Sequence, residues 1–216
     1  HRRPRRIHTV TVTAAGAAGT PSGQVEEGLR AVVAKTFDDA DMRPDGRTAI
    51  NVNAGEPYEI GGPARHAGLT GRKNGIDTYG EIARQSGAAL SGKDPSRIDR
   101  IGAYAARHAA KNVVAAGLAE RCEVHLAYAI GRAEPLSLSV TSFGTGAIPD
   151  QDIAARVENA VDFRPAAIMR RFGLRTQPGL RGEQGFYRPL AVYGHFGRPD
   201  LDLPLEATDL VDALRG

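Results

Sequence analysis

A chain of 216 residues has the length for one large domain or two small ones around buried cores. With 41% hydrophobic and 25% charged residues and no apolar run near the length of a bilayer span, the composition is that of a soluble globular protein and excludes a helical membrane protein. A net charge of +3 suits anionic ligands but is too mild to indicate nucleic acid. The single cysteine, Cys122, excludes an intrachain disulfide, and no signal-peptide pattern is visible. The expected location is the cytoplasm.

The chain opens on a basic run, His1-Arg2-Arg3-Pro4-Arg5-Arg6, read either as a solvated loop or as an anion-binding arm. Ile7, Thr9 and Thr11 then alternate with His8, Val10 and Val12, the period of a strand. Because the first residue is not Met and the run leads straight into a strand, a longer polypeptide is expected to precede His1. A turn rich in Gly and Ala leads to Ser22, a candidate N-cap, and Val25, Leu29, Val32, Val33 and Phe37 have helical spacing. Pro44-Asp45-Gly46 turns the chain into a second strand over residues 48–52. Residues 1–57 are therefore expected to form a strand–helix–strand unit, small for an independent domain, and residues 58–216 a second domain.

The second part begins with a Gly-rich stretch that includes Gly68-Leu69-Thr70-Gly71-Arg72-Lys73. The loop Ser91-Gly92-Lys93-Asp94 follows, with Asp94 expected to cap a long helix and Pro95 to occupy its first turn. That helix is expected to run to about Ala116 and stop at Gly117. Val124, Leu126 and Tyr128 alternate as a strand, and so do Leu136, Leu138 and Val140. Ile153, Val157 and Val161 mark another helix. Mixed strands and helices point to an α+β fold, layered sheets with helices on one face.

Both Gly-rich loops pair flexible backbone with cations. Glycines allow close approach to a ligand, Arg72, Lys73 and Lys93 supply charge, and a helix start favours anions. The pair reads either as a polyphosphate site or as solvated basic turns; the P-loop spacing is absent. Asp99 is either a carboxylate for Mg²⁺ beside a polyphosphate, or a favourable charge at a helix start paired with Arg100 or Arg72.

Longer motifs narrow these alternatives. The stretch IGGPARHAGLTGRKNGIDTYG over residues 60–80 resembles the IGGP…GLTGRK…DTYG segment of S-adenosylmethionine synthetases (methionine adenosyltransferases). ALSGKDPSRIDR over residues 89–100 is similar to their AFSGKDPSKVDR, and residues 102–122, 128–135 and 193–198 resemble further motifs in the family's order. The resemblance implies three similar α/β domains per subunit and homodimers or homotetramers with active sites between subunits. It also implies attack of the methionine sulfur on C5′ of ATP, with Mg²⁺ and K⁺ as cofactors and neither nucleic acid nor membrane as partner.

Residue by residue, the resemblance implies that Arg72 and Lys73 bind triphosphate, that Lys93 is a second phosphate-binding lysine, and that Lys73, Lys93 and Asp99 are catalytic. Ala89 falls beside the nucleotide, and Tyr58 stands where the family stacks a Phe on adenine. Asp99 is implied as a Mg²⁺ ligand near the methionine pocket. His66 replaces an aspartate that touches both ATP and methionine, and Arg97 replaces a lysine near methionine. The family's N-terminal half, with its catalytic His, another catalytic Lys, a Mg²⁺-binding Asp, the K⁺ ligand and two methionine contacts, is outside this chain. The expectation is thus a fragment or half-subunit of a methionine adenosyltransferase, inactive alone and completed in a heteromer if the other half lies on a second chain. The alternatives are a divergent paralogue using another nucleophile and a non-catalytic regulatory subunit. His8, His108, His125 and His195 match none of the family's catalytic positions and read as polar or core histidines.

Overall fold

In a computed structural model, the described residues are 4–53, 62, 79, 83–84 and 90–216. The chain forms two compact units, residues 1–68 and 69–216.

In the first unit, β1 (Thr9–Val12) and β2 (Ala49–Val52) pair in parallel, with Val10 opposite Ile50 and Val12 opposite Val52. Parallel neighbours need a crossover, and α1 (Ser22–Thr36) lies between them in the chain and packs on β2. Ser22 is the first helical residue rather than the cap; Pro21 holds the cap position, with no side-chain hydrogen bond to the helix end. Of the two adjacent valines, Val33 is buried and Val32 exposed, so the apolar stripe is narrower than the spacing implies. Asp45 accepts hydrogen bonds from the Arg6 side chain and the Arg47 amide, and these hold its carboxyl near 2.

The second unit is organised around α2 (Ile98–Ala115). Ile101, Tyr104, Ala105, His108, Ala109, Asn112 and Val113 recur at helical spacing, and all are buried. Strands β3 (Glu123–Ala127) and β4 (Ser137–Thr141) form an antiparallel hairpin with Val124 opposite Val140. Those two valines face the core, whereas the pair His125 and Ser139 is exposed, as the pleat requires. Helix α2 packs on β3, and α3 (Asp150–Ala160) packs on β4 through a core that includes Ile153 and Val157. Short helices α4 (Pro165–Arg171), α5 (Gln177–Leu180) and α6 (Val211–Arg215) follow. Ile168 of α4, Phe172 and Leu174 just after it, and Leu214 of α6 join the same core. Among the described residues no helix is long and apolar enough to cross a membrane.

The expected start of α2 needs correction. Arg97, not Asp94, is its N-cap residue, and Pro95 lies ahead of the helix. The Asp94 carboxylate instead accepts hydrogen bonds from the amide and hydroxyl of Ser96, closing a local turn. This competition between a local Asx turn and a helix cap is inherent in aspartate.

A polar strap ties the C-terminal segment to α2. Asn112, fully buried, donates to the Ala207 carbonyl at 2.9 Å and accepts from the Leu210 amide at 2.8 Å. His108 donates from Nε2 to Asp209 at 2.7 Å, because a carboxylate can only accept. Its buried Nδ1 has no partner among the described residues, and burial lowers the imidazole pKa. Glu206 accepts from Arg107, Lys111 and the Gly197 amide. Burial alone would raise its pKa, but these donors overcome that and hold it near 2. Glu206→Gln weakens all of these bonds at once and should cost about 2–3 kcal/mol in urea denaturation at neutral pH. A loss under about 0.5 kcal/mol would assign the strap to surface decoration.

Candidate functional site

The site begins with a tight turn. Leu90 is buried, and its carbonyl accepts from the Lys93 amide at 3.4 Å, closing a turn through Ser91 and Gly92. Gly92 has φ of 78°, a left-handed conformation that residues with a Cβ rarely adopt. The turn presents Ser91 and Lys93 to solvent ahead of α2.

Arg100 lies in the first turn of α2 yet is only 4% exposed. Among the described residues no carboxylate pairs with it. One guanidinium nitrogen donates to the Lys93 carbonyl, and Nε donates to the Tyr104 hydroxyl at 3.1 Å. The guanidinium also stacks over the Tyr187 ring at 4.5 Å. Tyr104 is fully buried, and its hydroxyl lies 2.8 Å from Nδ1 of His195. The other imidazole nitrogen, Nε2, is 2.9 Å from Ser91 Oγ. A continuous set of hydrogen bonds therefore runs from the Lys93 backbone through Arg100, Tyr104 and His195 back to the Ser91 side chain.

Lys93 and Asp99 form an ion pair through Nζ and Oδ2, with side chains 30% and 40% exposed. The structure thus brings together two of the residues singled out in the sequence. Asp99 pairs with Lys93, while Arg100, one of its expected partners, points inward. Arg97 is exposed at the helix cap, and its carbonyl accepts the first amides of α2. Tyr58, His66, Arg72, Lys73 and Ala89 lie outside the described residues.

These groups border an open cleft of about 470 Å³ lined by Ser91, Gly92, Lys93, Arg100, Tyr187 and Arg188 among others. Arg188 is exposed, with no ion-pair partner among the described residues. With Lys93, Arg100 and Arg188 against the single carboxylate of Asp94 in its lining, the cleft is net positive and mostly open to water, which suits a hydrated, multiply charged anion better than an apolar molecule. Among the described residues no three His, Cys, Asp or Glu side chains converge as a metal cage. The Asp99 carboxylate is paired with Lys93 through Oδ2, and its other oxygen, partnerless among the described residues, fits Mg²⁺ that arrives with phosphate oxygens, the ion's usual manner of binding. It offers no such match to K⁺.

Arg100, Tyr104, Tyr187, Arg188 and His195 were not singled out for the site from the sequence. Arg100 and Tyr104 could have been found, because a basic residue and a tyrosine four apart on a buried helix face need partners. His195 is 104 residues from Ser91, and no local pattern joins them.

The chain is similar to known proteins over nearly its whole length. Residues 60–207 match the family described as "S-adenosylmethionine synthetase, C-terminal domain". An S-adenosylmethionine synthase of Synechococcus sp. (strain JA-3-3Ab) is 49% identical across 99% of this chain and 53% of its own length. That of Synechococcus elongatus is 52% identical over 85% of this chain and 44% of its own length. Among solved structures, an unusual S-adenosylmethionine synthetase from Campylobacter jejuni superposes with a TM-score of 0.86 at 31% identity. That superposition covers 98% of this chain and 54% of the other. The chain spans about half the length of the curated relatives it matches.

The buried imidazole makes the site acid-sensitive. Burial first, and the Arg100 charge second, push His195 down to about 4 from an ordinary 6.5. The unfolded chain thus takes up a proton near pH 6.5 that the folded chain refuses until about pH 4. Stability from this group is complete above that window and is lost as pH falls through it, by roughly 3 kcal/mol in total. His195→Gln cannot titrate, so its urea-denaturation free energy should fall by roughly 2–3 kcal/mol less than the native chain's between pH 7 and pH 4. Equal losses in both proteins would mean that His195 is not held neutral.

Proposed function

Because the chain belongs to the S-adenosylmethionine synthetase family, we propose that it is the ATP-binding portion of a methionine adenosyltransferase. The reaction is ATP plus L-methionine plus water to S-adenosylmethionine, phosphate and diphosphate. In it the methionine sulfur displaces triphosphate from C5′ of ATP, and the triphosphate is then hydrolysed. The chemistry asks the protein to position the sulfur and to neutralise a leaving group of high negative charge.

The observation that carries this reading is the Ser91–Lys93 turn, fixed from behind by a buried guanidinium and facing a cationic cleft. Lys93 is the cation for the triphosphate, with its ammonium held at the cleft by Asp99. Arg188 adds a second positive charge on the cleft wall. Arg72 and Lys73 belong to the same function in this reading, with Tyr58 and Ala89 beside the nucleotide and His66 and Arg97 toward methionine. Mg²⁺, when bound, supplies further charge neutralisation at phosphate oxygens, and Asp99 is the carboxylate that would hold it. K⁺ would be held by residues outside this chain. The working enzyme in this reading is a cytoplasmic homodimer or homotetramer, or a heteromer in which another chain supplies the family's N-terminal half.

Inorganic tripolyphosphate isolates the anion-binding part of this reading. Calorimetry with the 216-residue chain should detect binding that weakens as salt is raised. Lys93→Ala should weaken it roughly ten- to hundredfold, the range for one charged hydrogen bond to phosphate. Binding that is absent in the native chain, or unchanged in Lys93→Ala, would remove this loop from the phosphate site.

A further inference from the structure

Tyr104 decides the direction of every hydrogen bond in the buried network. Its oxygen accepts from Arg100, which can only donate, so the phenolic proton needs an acceptor of its own. The tyrosine is fully buried, and the only further partner of its hydroxyl among the described residues is His195 Nδ1. An unsatisfied O–H there would be costly, so Tyr104 donates and Nδ1 accepts. A neutral imidazole then carries its proton on Nε2, and Nε2–H donates to Ser91 Oγ at 2.9 Å. Ser91 thereby has a lone pair engaged from behind while its own hydroxyl proton has no acceptor among the described residues. The side chain is exposed and lines the cleft beside Lys93.

From this geometry we propose that Ser91 is a ligand-binding residue whose hydroxyl donates to an anionic phosphate oxygen, and that His195, itself out of reach of the ligand, is the positioning residue that aims it. The proposal rests on the reading of the cleft as a polyphosphate site. It adds a neutral donor to the cations there and assigns a role to a histidine from a distant part of the chain. The arrangement is directional: a donor already ionised by its environment needs no aiming, whereas a hydroxyl rotor does. An imidazole fixed on its far side by Tyr104 removes that rotor's freedom before the ligand arrives, which lowers the cost of binding.

Three measurements test it. In the ligand-free chain, ¹⁵N NMR of the His195 ring should find the proton on Nε2; a proton on Nδ1 would reverse the network and overturn the proposal. Tripolyphosphate calorimetry, run well below the unfolding transition because Ser91→Ala also takes the acceptor from the buried His195 Nε2–H, should then find that variant roughly five- to thirtyfold weaker than the native chain. His195→Asn, too short to reach Ser91, should weaken binding in the native background but by less than about twofold in the Ser91→Ala background, the signature of action through Ser91. His195→Gln can place an amide donor near the Nε2 position and should restore most of the affinity. Native affinity in Ser91→Ala, or additive losses in the double variant, would overturn the proposal while leaving the polyphosphate reading intact if Lys93→Ala still binds more weakly than the native chain. Absence of tripolyphosphate binding by the native chain would instead overturn both.

Discussion

A guanidinium buried to 4% exposure with no carboxylate beside it among the described residues is the constraint from which the site follows. A charge in such a place is tolerated when acceptors, polarisable surroundings or solvent meet its donors and faces. Two of the five N–H donors of Arg100 are taken by the Lys93 carbonyl and the Tyr104 hydroxyl, the Tyr187 ring covers its face, and the residue borders the open cleft. Satisfying Arg100 therefore fixes a backbone carbonyl of the Ser91–Lys93 turn. The turn in turn fixes where Lys93 projects, and a cation with a fixed position is what a leaving polyphosphate requires. Burial first, and the same charge second, lower the His195 pKa, so the imidazole stays neutral while it bridges Tyr104 and Ser91.

Packing and site share one helix. The face of α2 that carries Ile101, Ala105, Ala109 and Val113 is apolar, and this buries the helix against the hairpin and the shorter helices. Polar residues interleaved on the buried side reach segments far away in the chain: Tyr104 to His195, His108 to Asp209, Asn112 to residues 207 and 210. Each such contact is directional, so together they select one arrangement of a C-terminal segment that has little regular structure of its own. His195 is held in that segment, and its contact with Ser91 links the segment to the site.

The elements with clear periodicity were legible in the sequence: β1, β2, α1, α2, the β3–β4 hairpin and α3 all fall where alternation or helical spacing places them. The start of α2 was not, because Asp94 satisfies its own turn through Ser96 and leaves the cap position to Arg97. Helices α4 to α6 span seven, four and five residues, too short to display a period. Within the site, Lys93 and Asp99 were legible as charged groups beside a Gly turn, and the family resemblance gave them roles. Their pairing with each other was not, since either partner had several oppositely charged neighbours in sequence. Arg100 read as one more surface charge; only its burial distinguishes it. The network through His195 depends on tertiary contact alone.

The account stands on Arg100 as the group that immobilises the Ser91–Lys93 turn. Amide hydrogen exchange of Arg100→Met against the native chain tests this directly, because methionine fills similar volume without a donor. The Lys93 amide, bonded to the Leu90 carbonyl, should exchange roughly tenfold faster in the variant, as expected for losing about one hydrogen bond's worth of local stability, while the amides of Ala109 and Val113 in α2 stay protected. Unchanged exchange at Lys93 would contradict the claim that the buried guanidinium holds the loop.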